Sequence, residues 1–221
     1  MVKAVIFDID GTILDSVDLH AEAWQKTLKH FGFDLPIEDV RRQIGKGGDQ
    51  LMPSLLPKHV VDAQGEEIEK ERADLFKREY LSQVRPFPRV RELFERIRAD
   101  GKKIALASSA KADELETYTK IAEIQGLTDV ETSSDDAERS KPHPDIFEAA
   151  AEKLGLPKDA LIILGDTPHD AEAATKAGIR IIGVLCGGSP EQELRDAGCI
   201  VIYRDPADLL ANYVDSPIAQ R

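Results

Sequence analysis

Short apolar runs rich in β-branched residues recur at residues 2–7, 103–107, 161–164, 179–185 and 199–203, and each leads within a residue or two into a glycine, a serine or an acidic residue. Runs of this length and composition read as buried strands feeding turns. Helical patterns lie between the later ones, at 90–97, 113–124, 145–154 and 170–177. Strands joined by helices of that length pair in parallel, and a parallel sheet needs cover on both faces. The expected fold class is therefore α/β, a doubly wound parallel sheet.

The alternation stops between residues 16 and 85, where the sequence is helical throughout. In 18–31, Leu19, Ala23, Leu28 and Phe31 recur at helical spacing, and Gly32 is placed as a stop. In 66–84, Ile68, Leu75, Phe76 and Tyr80 share one side, while Glu66, Lys70, Glu71 and Glu79 form a solvated face supported by pairs such as Glu66 with Lys70. The expected organisation is an α/β core of residues 1–15 and 86–221 with an inserted all-helical cap, 16–85. Arg85-Pro86-Phe87-Pro88 is the return linker.

Charge narrows the partners. A net charge of -12 argues against broad electrostatic capture of nucleic acid or of an anionic membrane, so any phosphate must meet a local positive site. The apolar run at the start is too short for a signal segment and meets Asp8 at once, so a cytoplasmic location is expected. Cys186 and Cys199 lack metal-site spacing and are expected to be reduced, partly buried thiols.

The chemistry-bearing residues cluster where strands end. Asp8-Ile9-Asp10-Gly11-Thr12 follows the first run, Ser108 closes the second, Lys141 stands in Arg139-Ser140-Lys141-Pro142, and Gly165-Asp166-Thr167-Pro168-His169-Asp170 closes the third. Ligands of open parallel sheets bind outside the carboxyl ends of the strands, where all but Lys141 are placed by this reading; Lys141 stands just before a helix. In order and spacing these segments resemble the haloacid dehalogenase superfamily of phosphatases and phosphomutases. The resemblance spans nearly the whole chain and includes that superfamily's Rossmann-like core and small helical cap.

The resemblance implies roles. Asp8 would be the nucleophile, forming an aspartyl phosphate, and Asp10 the acid and base for the two half-reactions. Carboxylates facing a phosphate dianion need a bridging divalent cation, and hard oxygen ligands suit Mg²⁺. The implied ligands are Asp8, the backbone carbonyl of Asp10, and Asp166, with Asp170 orienting the ion or its waters. Lys141 would supply fixed positive charge to Asp8 and the phosphoryl oxygens, with Ser108, the backbone N–H of Ser109 and Thr12 completing the phosphate site.

The substrate expected is a small phosphorylated metabolite, hydrolysed as by the phosphoglycolate phosphatases; the oligomeric state stays open. The alternative is a β-phosphoglucomutase-like mutase. That branch carries a histidine, close to the reacting oxygens, and a tryptophan at places corresponding to His20 and Trp24, which share a helix face; the resemblance implies His20 as a substrate-site residue, and packing is the expected role of Trp24. The mutase branch also places an arginine in the cap loop where Gly47 stands, leaving Lys46 as the cap cation. True dehalogenases usually lack the second aspartate of the first motif, here Asp10. His169 is expected to be an exposed loop residue and His143 to be structural, and Gly45-Lys46-Gly47-Gly48 is not a P-loop, because no Lys-Ser/Thr follows its last glycine.

Overall fold

The computed structural model describes residues 1–220, and for Asp113 the backbone alone. Strand β1 (Ala4–Phe7) is followed by a two-residue strand β2 (Leu14–Asp15) and then by helices α1 (Val17–His30), α2 (Ile37–Arg41), α3 (Gly48–Leu55) and α4 (Lys58–Leu75). Helix α4 continues as a π-helical turn, Phe76–Tyr80. The chain returns through β3 (Arg85–Pro86) into α5 (Val90–Ala99), β4 (Lys103–Ala107), α6 (Ala112–Ile121) and β5 (Val130–Thr132). The last third alternates as α7 (Asp145–Leu154), β6 (Leu161–Gly165), α8 (Pro168–Ala177), β7 (Arg180–Val184), α9 (Glu191–Ala197), β8 (Val201–Tyr203) and α10 (Pro206–Ala211). No described helix is long and apolar enough to cross a membrane.

The main sheet has six strands in the order β5-β4-β1-β6-β7-β8, and its neighbouring strands pair in parallel throughout. The period of two along each strand sorts its side chains between two cores. Val5, Phe7, Ile104, Leu106, Ile162 and Leu164 face the core shared with α5, α6 and α10. Ala4, Ile6, Ala105, Ala107, Leu161 and Ile163 face the core shared with α7, α8 and α9. Both faces are dry, which is why these strands read as continuous apolar runs. Strand β1 lies between β4 and β6, where the sheet order changes direction, so its carboxyl end opens on the switch-point crevice.

The helical block has a core of its own, built from Val17, Ala21, Trp24, Leu28, Val40, Ile44, Leu51, Met52, Leu56 and Ile68. Helix α1 serves two cores, because Ala23 and the half-buried Leu19 pack on the sheet side instead. The ribbon of β2 and β3, with Leu14 opposite Pro86 and Asp15 opposite Arg85, ties the two ends of the block together.

Several expectations are corrected. Strand β5 and the β2–β3 ribbon are absent from the sequence reading, since two or three residues are too short to display a period. Helix α4 starts at Lys58 rather than near Glu66, because Gly65 interrupts the pattern although it sits beside Met52 without crowding. Lys70 pairs with Asp74 at 2.7 Å rather than with Glu66. Cys199 precedes β8 instead of opening it. Both thiols are free, Cys199 buried and Cys186 half-buried.

Candidate active site

Asp8 follows the fully buried β1, and its N–H donates to the carbonyl of Leu164 on β6 at 2.9 Å. The next turn is closed by the N–H groups of Thr12, Ile13 and Leu14, all donating to the carbonyl of Ile9 at 3.2, 2.9 and 3.0 Å. Gly11 supplies the left-handed backbone this turn requires, with φ of 84°. The turn sets Thr12 Oγ1 3.0 Å from both Asp8 Oδ2 and Asp166 Oδ1, so one hydroxyl proton serves two carboxylates.

Lys141 is wholly buried. Its ammonium contacts Asp8 Oδ1 and lies 2.8 Å from Asp170 Oδ1, over the Phe147 ring at 5.2 Å. Asp170 also closes a capping box at the start of α8, accepting from the Thr167 N–H at 3.1 Å. Helix α8 thus positions a carboxylate whose other oxygen fixes the lysine.

Burial, reinforced by the charge of Asp170, pushes the Asp8 carboxyl up to about 7 despite Lys141. Burial, with Asp8 and Asp170 adding repulsion, holds Asp166 well above the carboxylate range. Burial alone would lower the Lys141 ammonium, but the charges of Asp170 and Asp8 outweigh it and raise it. The site is therefore a crowded set of carboxylates with too little positive charge to balance it.

Asp10 behaves differently. His20 Nε2 lies 3.1 Å from Asp10 Oδ1, and Ser16 Oγ donates to the same oxygen at 2.6 Å. Burial would raise this carboxyl, but the charge of His20 and the bonds from His20 and Ser16 outweigh it and hold it below the usual range. The His20 ring is itself fixed, stacked on Phe76 at 3.9 Å between centroids. Phe76 opens the π-helical turn after α4, an irregularity of a kind that recurs at functional sites.

These groups border a cleft between core and helical block, lined by Asp8, Asp10, His20, Trp24, Lys46 and Ser109 among others. Ser108 is buried beside it, and its Oγ accepts from the Ala110 N–H at 3.1 Å, which leaves the hydroxyl proton free to donate. Lys46 borders the cleft, but its ammonium donates to Gln43 Oε1 at 2.6 Å and Ser54 Oγ at 3.1 Å, both in the helical block. His169 departs from the expectation of an exposed loop residue. It sits half-buried in the first turn of α8, with Nε2 3.1 Å from the carbonyl of Arg42, and so links core to insert.

The donor set suits a hard cation. Asp8, Asp166 and Asp170 can each bring one oxygen within 4.8 Å of the others. Asp166 Oδ2 is buried without a hydrogen-bond partner. Gly11 and Gly187 back directly onto that oxygen, and a Cβ at either would overlap it. A buried carboxylate oxygen left bare in this way fits a group such as a divalent metal ion. The Asp10 carboxylate points away from this cluster toward Ser16 and His20, so any part it takes in holding metal falls to its main chain.

Sequence reasoning missed Ser16, Arg72 and Phe76. Ser16 reads as an ordinary N-cap of α1, yet makes no side-chain capping bond and gives its hydroxyl to Asp10. Arg72 lies one turn beyond Ile68 on α4, and that i, i+4 relation to an inward residue was the available signal.

A fold of this order, with carboxylates at the switch point under a helical insert, defines a class of hydrolase, and comparison with known proteins gives the family. Residues 5–184 match the haloacid dehalogenase-like hydrolase family, to which the chain belongs. It is similar to a phosphorylated carbohydrates phosphatase of Thermotoga maritima, 27% identical over 94% of this chain and 96% of that one. A phosphoglycolate phosphatase of Nitrosospira multiformis is 28% identical over 91% of each chain. Among solved structures, a hydrolase from Pseudomonas syringae superposes with a TM-score of 0.90 at 32% identity, covering 96% of this chain and 98% of that one.

Proposed function

We propose that the chain is a Mg²⁺-dependent phosphoric monoester hydrolase that works through an aspartyl phosphate on Asp8. One observation carries this reading: Asp8 Oδ1 is held by Lys141 and Oδ2 by Thr12, so the carboxylate is fixed at the mouth of the crevice beside a second carboxylate, Asp166, whose Oδ2 has no hydrogen-bond partner. The metal, when bound, would screen charge between carboxylates and phosphoryl oxygens. Asp8 and Asp166 are the side chains best placed to hold it, with the main-chain carbonyl of Asp10, while Asp170 spends one oxygen on Lys141 and the other on Thr167.

In the reaction so read, Asp8 attacks phosphorus and the substrate oxygen leaves. Lys141 and the Ser108–Ser109 turn neutralise the phosphoryl oxygens. Asp10 gives the leaving oxygen its proton and later takes one from the water that opens the aspartyl phosphate. In the free site Asp10 is ionised, as the second half-reaction requires; an arriving phosphate dianion raises its pKa and lets it carry the proton of the first. His20 and Ser16 hold its orientation throughout.

Hydrolysis is favoured over mutase chemistry by the loop between α2 and α3. The mutase branch holds its second phosphate with a cap-loop arginine, which would fall at Gly47. Here Gly47 packs on Ser140 so closely that a Cβ would overlap its hydroxyl, and the Ser140 N–H donates to Asp49 Oδ2 at 3.1 Å. A side chain there would have to displace Ser140. The test is a panel of phosphorylated metabolites assayed with Mg²⁺ or chelator for free phosphate and for isomerised sugar phosphate. Phosphate release that needs Mg²⁺ is expected; efficient isomerisation of β-glucose 1-phosphate with little phosphate released contradicts the reading.

A further inference from the structure

The cleft holds a cation that phosphoryl transfer to Asp8 does not use. Arg72, on α4, lines it together with Asp8 and Asp10. Its guanidinium lies over the Trp24 ring at 5.1 Å, and its Nε is buried without a hydrogen-bond partner. No ion pair to Arg72 occurs among the described residues. The neighbouring charges are differently employed. Glu114 lies 3.6 Å from the Lys77 ammonium, Glu69 is packed on Gly48 at the start of α3, and Lys46 is bonded to Gln43 and Ser54.

A buried guanidinium nitrogen without an acceptor costs free energy unless something else supplies the acceptor. Stacking on Trp24 holds the planar group in place, so little ordering is left for binding. The flat fork presented to a small cleft matches a carboxylate or a phosphate, each of which accepts two parallel N–H bonds.

From this we infer that Arg72 is the specificity-determining residue of the cleft and that the substrate is a small phosphomonoester bearing a second anionic group, carboxylate or phosphate, bound by Arg72 while the first phosphate faces Asp8. The inference rests on the phosphatase reading, and it assigns to Arg72 the recognition that Lys46 offers on sequence grounds.

The test pairs turnover with a binding signal. Initial rates are measured with Mg²⁺ for phosphoglycolate (second group a carboxylate), fructose 1,6-bisphosphate (second group a phosphate), and glycerol 1-phosphate and phenyl phosphate (neither). For whichever doubly anionic substrate is preferred, Arg72→Ala should lower kcat/KM by about 10- to 100-fold, mainly through KM, the scale of a lost charge-assisted hydrogen bond. Phenyl phosphate, which offers Arg72 no second anion, should change by less than about threefold. Arg72→Lys should recover part of the loss, and Lys46→Ala should leave the preference intact. Trp24 is the single tryptophan of the chain, so its fluorescence reports anion binding directly. In the Asp8→Asn protein, phosphoglycolate or the bisphosphate should change it saturably and glycerol 1-phosphate should not, and adding Arg72→Ala should abolish the change. Equal losses on all substrates, unchanged preference in Arg72→Ala, or a fluorescence response independent of Arg72 overturns the inference. Absence of phosphate release by the wild type, with the Arg72-dependent fluorescence change intact, removes the phosphatase reading and leaves the anion site standing.

Discussion

The two sides of the cleft are built on different principles. On the core side every functional group is locked: Asp8 between Lys141 and Thr12, Lys141 between two carboxylates, Asp170 in the capping box of α8. On the insert side the groups are held by stacking, His20 on Phe76 and Arg72 over Trp24; His20 reaches across to Asp10, and Arg72 keeps a buried nitrogen without a partner. In the proposed reaction the core side would serve one chemical event at phosphorus, whose geometry does not vary with substrate. The insert side would recognise the remainder of the molecule. Substitutions on the core side should therefore cost kcat for every substrate, and those on the insert side should divide substrates.

The largest effect is expected at Asp8. Asp8→Asn keeps the shape but removes the nucleophile, and turnover should fall by on the order of 10⁴ or more on all substrates. Retention of turnover on any one substrate would break the distinction between the sides. Next come Lys141→Met and Asp166→Asn, each expected to lower kcat by about 100- to 1000-fold, the scale of losing a preorganised electrostatic partner, and again without regard to substrate. Rate measurements on phenyl phosphate and on an alkyl phosphate check this, and a loss confined to one of them contradicts it.

The position of these residues was legible because buried parallel strands are continuous apolar runs, and the residues directly after such a run stand at the carboxyl end of the sheet. Asp8, Asp166 and Asp170 could be placed together from the chain alone for that reason. The insert side was legible only as helical. Arg72 acquires meaning from Trp24, nearly fifty residues earlier, through a contact between α1 and α4 that no local spacing encodes. Ser16 looks like a cap and His169 like a loop residue until the turn after β1 and the contact with Arg42 are seen. Sequence periodicity reports which face is buried, not what the buried face touches.

His20 sits on the boundary of the comparison and sharpens it. As a positioning residue for Asp10, its change to Ala should lower kcat by about tenfold on an alkyl phosphate, less than the roughly 100-fold or more of losing the acid–base group itself, and by less still on an aryl phosphate, whose leaving group needs little acid help. Since His20 helps hold the Asp10 carboxyl low, the kcat/KM limb that reports Asp10 should move to higher pH in the variant. An unmoved limb would mean that His20 only packs.

Electrostatic crowding on the core side should also appear in stability. The Asp8 carboxyl titrates at about 7 in the folded chain against an ordinary 3.8, so the folded state binds its proton more tightly than the unfolded state does. Its contribution is fully present below about pH 4 and is lost as pH rises through 7. In chelator, wild type should therefore lose Tm relative to Asp8→Asn between pH 5 and 8, and Mg²⁺ should shrink that difference. A pH-independent difference would contradict the crowding. The smallest effect is expected at the exposed Glu66, whose change to Gln should shift stability by no more than about 0.5 kcal/mol and leave rates within about twofold.

The central claim is that phosphorus is carried on Asp8, and the measurement closest to it is rapid acid quench of the Asp10→Asn protein mixed with Mg²⁺ and an aryl phosphate, followed by peptide mass mapping. Asp10→Asn impairs the water attack more than the first transfer from a good leaving group, so phosphoenzyme should accumulate. The account predicts a single added phosphoryl group on the peptide carrying Asp8, absent when Asp8 is also changed to Asn. Turnover with no phosphorylated peptide at any quench time, or a phosphoryl group that persists elsewhere in the chain when Asp8 is changed, would contradict it.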